Sequence, residues 1–122
     1  MLRKCIAVAA VAIGLATAAA PQSKGPNGGM VAGTGSHRTE LVVSATELTV
    51  FLLHDGKAHE TTGTTLRAVV QQGRKTTTIK LADQEGKRLV GKLSAPLAKG
   101  AIVVVAGKDD HGDPVNARYV IP

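Results

Sequence analysis

The chain predicts an all-β fold, an immunoglobulin-like antiparallel β-sandwich of about seven strands, with a small β-barrel as the alternative. Three observations predict it. Apolar and polar residues alternate along most of the chain beyond residue 37. Turn signals rich in Gly, Asp and Pro recur at spacings of about eight to twelve residues. No segment sustains the 3.6-residue apolar period of a helix. Such spacing suits two packed sheets, and the pattern alone does not say whether the sheet closes.

The elements follow in order. In "RTELVVS", Thr39, Leu41 and Val43 share one face, and Arg38 and Glu40 the other. "ELTVFLLH", from Glu47, becomes apolar on both faces toward its end, as a central strand would. Asp55-Gly56 follows, the favoured pair for a tight hairpin. "TTLRAVVQQ" aligns Leu66, Ala68 and Val70, and "KTTTIKLA" aligns Thr77, Ile79 and Leu81. "DQEGK" reads as a turn, and "RLVGKL" places Leu89 and Leu93 together. "AIVVVAG" has the continuous apolar run of a buried strand, "KDDHGDP" is a polar loop, and "VNARYVI" keeps Val115, Ala117, Tyr119 and Ile121 in step. The resulting core is aliphatic, with one Phe, one Tyr and no Trp in the chain.

The first twenty residues have a different logic. Arg3 and Lys4 precede an uncharged run from Cys5 to Ala20 that ends in small residues. A positive start, an apolar middle and an Ala-x-Ala-like end make a secretory signal peptide. The run is shorter than the ~20 apolar residues of a spanning helix. Cleavage is expected after Ala18 or Ala19, the bond after Ala20 being disfavoured by Pro21. The expected organisation is therefore a signal peptide over 1–20, a glycine-rich lead-in over 21–36 and a sandwich domain over 37–122. Removal of the leader takes away the only cysteine and lowers the formal charge from +6 to +4. An alanine-rich leader and a cysteine-free body suit a bacterial periplasmic or secreted protein with no membrane span after processing.

Composition excludes several function classes. The basic residues are scattered singly or in pairs, and aromatics are nearly absent, so a nucleic-acid surface built on base stacking is not expected. The stretch "GPNGGMVAGTGSH" (25–37) is not a phosphate loop. Gly28 and Gly33 have the P-loop gap, but Thr34 stands where the lysine belongs, and no helix is expected to follow. There is no cysteine nucleophile after processing and no Gly-x-Ser-x-Gly elbow. Asp109, Asp110 and Asp113 sit in a turn-forming loop where carboxylates are ordinarily solvated, a poor setting for paired catalytic acids. The chain reads as non-enzymatic.

Histidine supplies the remaining chemistry. His37, His54, His59 and His111 each fall at a strand end or in a loop, and imidazole suits Cu(II) and Zn. The Asp55-Gly56 hairpin is expected to bring His54 and His59 to one end of the sandwich. Glu40 joins His37 as a ligand only if the strand begins after His37, because residues three apart along a strand face opposite ways. His111 has Asp110 and Asp113 as neighbouring oxygen donors. The candidate metal ligands are thus His37, Glu40, His54, His59 and His111, with Cu or Zn as the ion. Met30, a lone thioether, reads as a packing residue.

"KGPNGGMVAGTGSHRTELVV" followed by "LTVFLLHDGK" resembles small secreted bacterial proteins with a Gly-Pro-x-Gly-Gly start, a His-x-x-Glu-Leu strand and a hairpin like this one. The same residues, about 24–57, also resemble a short segment of the periplasmic adaptor subunits of heavy-metal efflux pumps. Gly25, Pro26, Gly28, Gly29, Glu40 and Leu41 carry the likeness, and Asn27 stands where the adaptor segment has His. The resemblance implies periplasmic metal handling without the coiled-coil or lipoyl-like parts of an adaptor. Together these features predict a small periplasmic binding protein, a metal-associated accessory of the cell envelope. The alternative is an interaction module that docks an envelope protein through an edge strand, with no metal.

Overall fold

The computed structural model describes residues 23–34 and 37–122. The expected leader lies outside them. The described residues form eleven antiparallel strands and no helix, so none contains a helix long and apolar enough to cross a membrane. The strands are β1 (Ser23–Lys24), β2 (Met30–Thr34), β3 (His37–Val43), β4 (Glu47–His54), β5 (Lys57–His59), β6 (Thr65–Gln72), β7 (Lys75–Lys80), β8 (Ala82–Gln84), β9 (Arg88–Lys92), β10 (Ile102–Lys108) and β11 (Pro114–Val120).

One sheet has the order β1-β2-β3-β4-β9-β8, with β5 added to the end of β4, and the other has the order β11-β10-β6-β7. Neither closes into a barrel. The two sheets pack as a sandwich around Leu41, Leu48, Val50, Leu66, Val103 and Tyr119, all at most 1% exposed.

All seven expected strands are present, and their inward faces are those the alternation indicates. β4 is paired on both sides, by β3 along its length and by β9 and then β5 on the other flank. That central position accounts for its apolar outer residue Leu53, which is buried and shares a cleft with Ser23 to Pro26. The β4–β5 turn has Asp55 at φ 52° and Gly56 at φ 81°. Positive φ at both central residues defines the type I′ turn that matches hairpin twist.

Two differences matter. The glycine-rich stretch does not merely lead into the sandwich: Met30–Thr34 is a strand of the sheet, paired from Met30↔Leu41 to Thr34↔His37. Glycine weakens strand propensity, but here the chain is held by pairing and by the clasp described below. The other difference lies at "KTTTIKLA", which divides at buried Leu81: β7 belongs to one sheet and β8 to the other. The residues Ala82–Gln84, read as part of a strand end and turn, thereby form the edge strand of the larger sheet.

Tyr119 joins the two sheets. Its phenol donates to the Thr39 carbonyl at 2.7 Å and shares a hydrogen bond with the Thr39 hydroxyl, from β11 across to β3. Burial pushes the Tyr119 phenol well above its ordinary range, opposed by the Thr39 bond and reinforced by the Glu40 charge.

Candidate functional site

The site starts from strand register. His37 opens β3 and lies directly opposite His54, which closes β4. His59 closes β5 opposite Leu52, two residues before His54. Cross-strand partners, and residues two apart, share a face. All three imidazoles therefore stand on the inward face of the larger sheet, beyond the end of the aliphatic core. The ring centres of His37 and His54 are 4.7 Å apart, and those of His54 and His59 are 6.1 Å apart.

The sheets splay at this end and leave a cleft of about 340 Å³. Its sheet walls carry His37, His59, Thr39 and Leu52, and the opposite side is formed by Asp109 and the start of β11. The Thr39–Tyr119 bonds fix the floor. Arg38 also lines the cleft, and Lys57 is the register partner of His54, so cations border the imidazoles.

Asp109 is the acid on the opposite wall. Desolvation would raise its carboxyl, but the backbone amides of Asp113 and His111, with the charges of His111 and His37, outweigh it and hold it below the ordinary value. Its Oδ1 accepts from both amides at 2.9 Å, which orders the loop between β10 and β11.

The expected ligands separate into three groups. His37, His54 and His59 come together. Glu40 does not join them, because β3 begins at His37 and the two residues take opposite faces. Its carboxylate is fully buried and accepts from the Asn27 amide at 2.9 Å, the Gly29 amide at 2.7 Å and the Asn27 side chain at 2.9 Å. His111 is exposed on the β10–β11 loop, with Nε2 3.8 Å from its neighbour Asp110. It stands at the same end of the molecule but outside the cleft lining. Among the described residues, no three His, Cys, Asp or Glu side chains are grouped, as they stand, to hold one ion.

The Gly-Pro-Asn-Gly-Gly loop therefore grips a carboxylate. A Cβ at Gly25 would lie 2.3 Å from Glu40 Cδ, and one at Gly29 would lie 2.4 Å from the Leu41 carbonyl oxygen. Both positions require glycine for close approach. Asn27 gives the clasp two of its three donors.

Two roles were not read from the sequence, that of Asp109 in the cleft and that of Glu40 in the clasp. Asp109 reads there as an ordinary turn former, and only the sheet geometry carries it to the cleft. The Glu40 clasp had a signal, the joint presence of Gly-Pro-x-Gly-Gly and His-x-x-Glu-Leu, but nothing linear shows that one binds the other. Compared with known protein families, curated proteins and solved structures, the chain matches none.

Proposed function

We propose that the protein is a non-enzymatic metal-binding protein of the bacterial periplasm, with its site at the histidine cleft. The observation that carries this reading is the contact of His37 with His54 across two strands. Two imidazoles that share one tetrahedral ion at 2.0–2.1 Å have ring centres about 5 Å apart, close to the 4.7 Å found here. Side-chain rotation of the exposed His54 brings His59 within reach as a third donor, and water or an anion completes the shell. Cu(II) and Zn(II) are the ions this all-imidazole set favours. Support comes from His37 and His59 lining one cleft with His54 between them at its rim, from the acid Asp109 opposite, and from the resemblance of residues 24–57 to metal-pump adaptor segments.

Calorimetry with Zn(II) and Cu(II) tests it. Binding is expected in the micromolar range at pH 7.5. It should weaken by tenfold or more in His37→Ala or His54→Ala and fall in acid, where protons compete for imidazole nitrogen. His111→Ala and Glu40→Gln should leave the affinity unchanged. Millimolar or absent binding in the unsubstituted protein would end the metal reading.

A separate observation favours docking of an envelope protein. Among the described residues β7 pairs with β6 alone, and beside it a groove of about 370 Å³ lies between β7 and β9, lined by Ile79, Leu93 and Leu97. Gln72 Oε1 accepts the Ala98 amide at 2.8 Å and holds the groove's loop wall in place. An extended segment added to β7 would place alternate side chains in this groove. Lys75 and Lys80 at the ends of β7 guard it against indiscriminate pairing. An envelope protein recovered with the unsubstituted chain should be lost with Leu97→Asp while metal affinity is retained; equal recovery by both would remove this reading.

A further inference from the structure

The outer face of the four-stranded sheet carries cations and no acids. Along the strands, the outward positions include Arg67 on β6, Lys80 on β7, Lys108 on β10 and Arg118 on β11, all exposed. No Asp or Glu occupies any outward position of these strands; the nearest acids, Asp109 to Asp113, lie in the loop beyond Lys108. None of the four cations makes an ion pair with a described residue.

Arg67 and Lys80 are direct cross-strand partners. Like charges placed opposite one another oppose pairing, and one glutamate at either position would relieve the repulsion. Toward the other end of the face, half-buried Val69, Ile102 and Val104 form an apolar area, with Val104 beside both Val69 and Arg118. Basic and apolar halves are thus joined on one open sheet surface.

We infer that this face docks on an anionic phospholipid surface, independently of the histidine cleft. The occupant follows from charge and side-chain composition. A protein partner usually brings an aromatic anchor onto or into such a face, and the outward positions of these four strands hold no aromatic residue. A bilayer needs only cations to meet its headgroups and short apolar side chains to meet the headgroup boundary.

Co-sedimentation with vesicles of phosphatidylglycerol and phosphatidylcholine, against phosphatidylcholine alone, tests the assignment. Arg67→Glu/Lys80→Glu reverses two charges while keeping the cross-strand repulsion, so the fold is not relieved or further burdened. Lys24→Glu/Lys87→Glu makes the same change in net charge away from this face, on β1 and in the β8–β9 turn. The phosphatidylglycerol-dependent partition should fall at least about twentyfold in the first variant, as each cation at such a surface is worth about fivefold. It should change less than threefold in the second and decline with salt in the unsubstituted protein. Equal losses in both variants would reduce the effect to net charge and overturn the proposal. So would the absence of phosphatidylglycerol-dependent binding, or face-dependent binding to soluble polyglutamate without binding to vesicles, which would assign the face to an acidic protein.

Discussion

Glu40→Ala is expected to destabilise the fold by about 3 kcal/mol, with a drop in Tm of about 12–24 °C for a domain of this size. Glu40 is 0% exposed, and its carboxylate is the acceptor for two backbone amides and one side-chain amide of the loop above it. Alanine removes that acceptor and leaves the Gly29 and Asn27 amides facing a void. Each buried donor without an acceptor costs about 1–3 kcal/mol, and partial opening of the loop to water limits the sum.

Glu40→Gln should fall between the two, because one amide nitrogen would replace an oxygen among donors. Gly25→Ala should resemble Glu40→Ala, since its Cβ would occupy the carboxylate's place. Urea denaturation decides the matter. A loss below about 1 kcal/mol for Glu40→Ala would show that the clasp contributes no more than an ordinary surface contact.

Tyr119→Phe is the second large effect, expected at about 1–3 kcal/mol. The substitution keeps the ring in the core and removes only the hydroxyl, leaving the Thr39 carbonyl and hydroxyl without their partner from the opposite sheet. Because Tyr119 is the only tyrosine, alkaline titration by ultraviolet absorbance reads it alone. Its folded pKa lies above the unfolded value of 10.0, chiefly through burial. The associated stability is fully present below pH 10.0 and is lost as pH rises toward the folded value. Phenolate absorbance should therefore appear together with loss of the fold, as one cooperative transition. A phenolate signal near pH 10 in a protein that remains folded would refute the buried, bonded phenol.

The fold was largely legible because half-buried strands write their two faces into the sequence with a period of two. Leu66, Ala68 and Val70, or Ala117 and Tyr119, need only that rule to be placed inward. Asp55-Gly56 was legible for another local reason: few residue pairs tolerate positive φ at both turn positions. The rule fails where burial comes from something outside the strand. Glu40 alternates correctly to the outer face, yet it is buried by a loop eleven to fifteen residues earlier. β2 was obscured by the glycine-rich run that leads into it, where Gly25 and Gly29 serve close approach to Glu40 and Leu41, a contact that no local pattern encodes.

The candidate site divides in the same way. Sequence by itself determined that His54 and His59 flank a tight hairpin, and that His37 and Glu40 can share a site only if the strand starts after His37. Tertiary structure decided that the strand starts at His37, which sends Glu40 to the clasp. It also set His37 opposite His54, because register between β3 and β4 is a property of the pair and not of either strand. The arrival of Asp109 from the other sheet was likewise decided by packing. Local alternation states which face a side chain takes; only the packed sheets state what stands across from it.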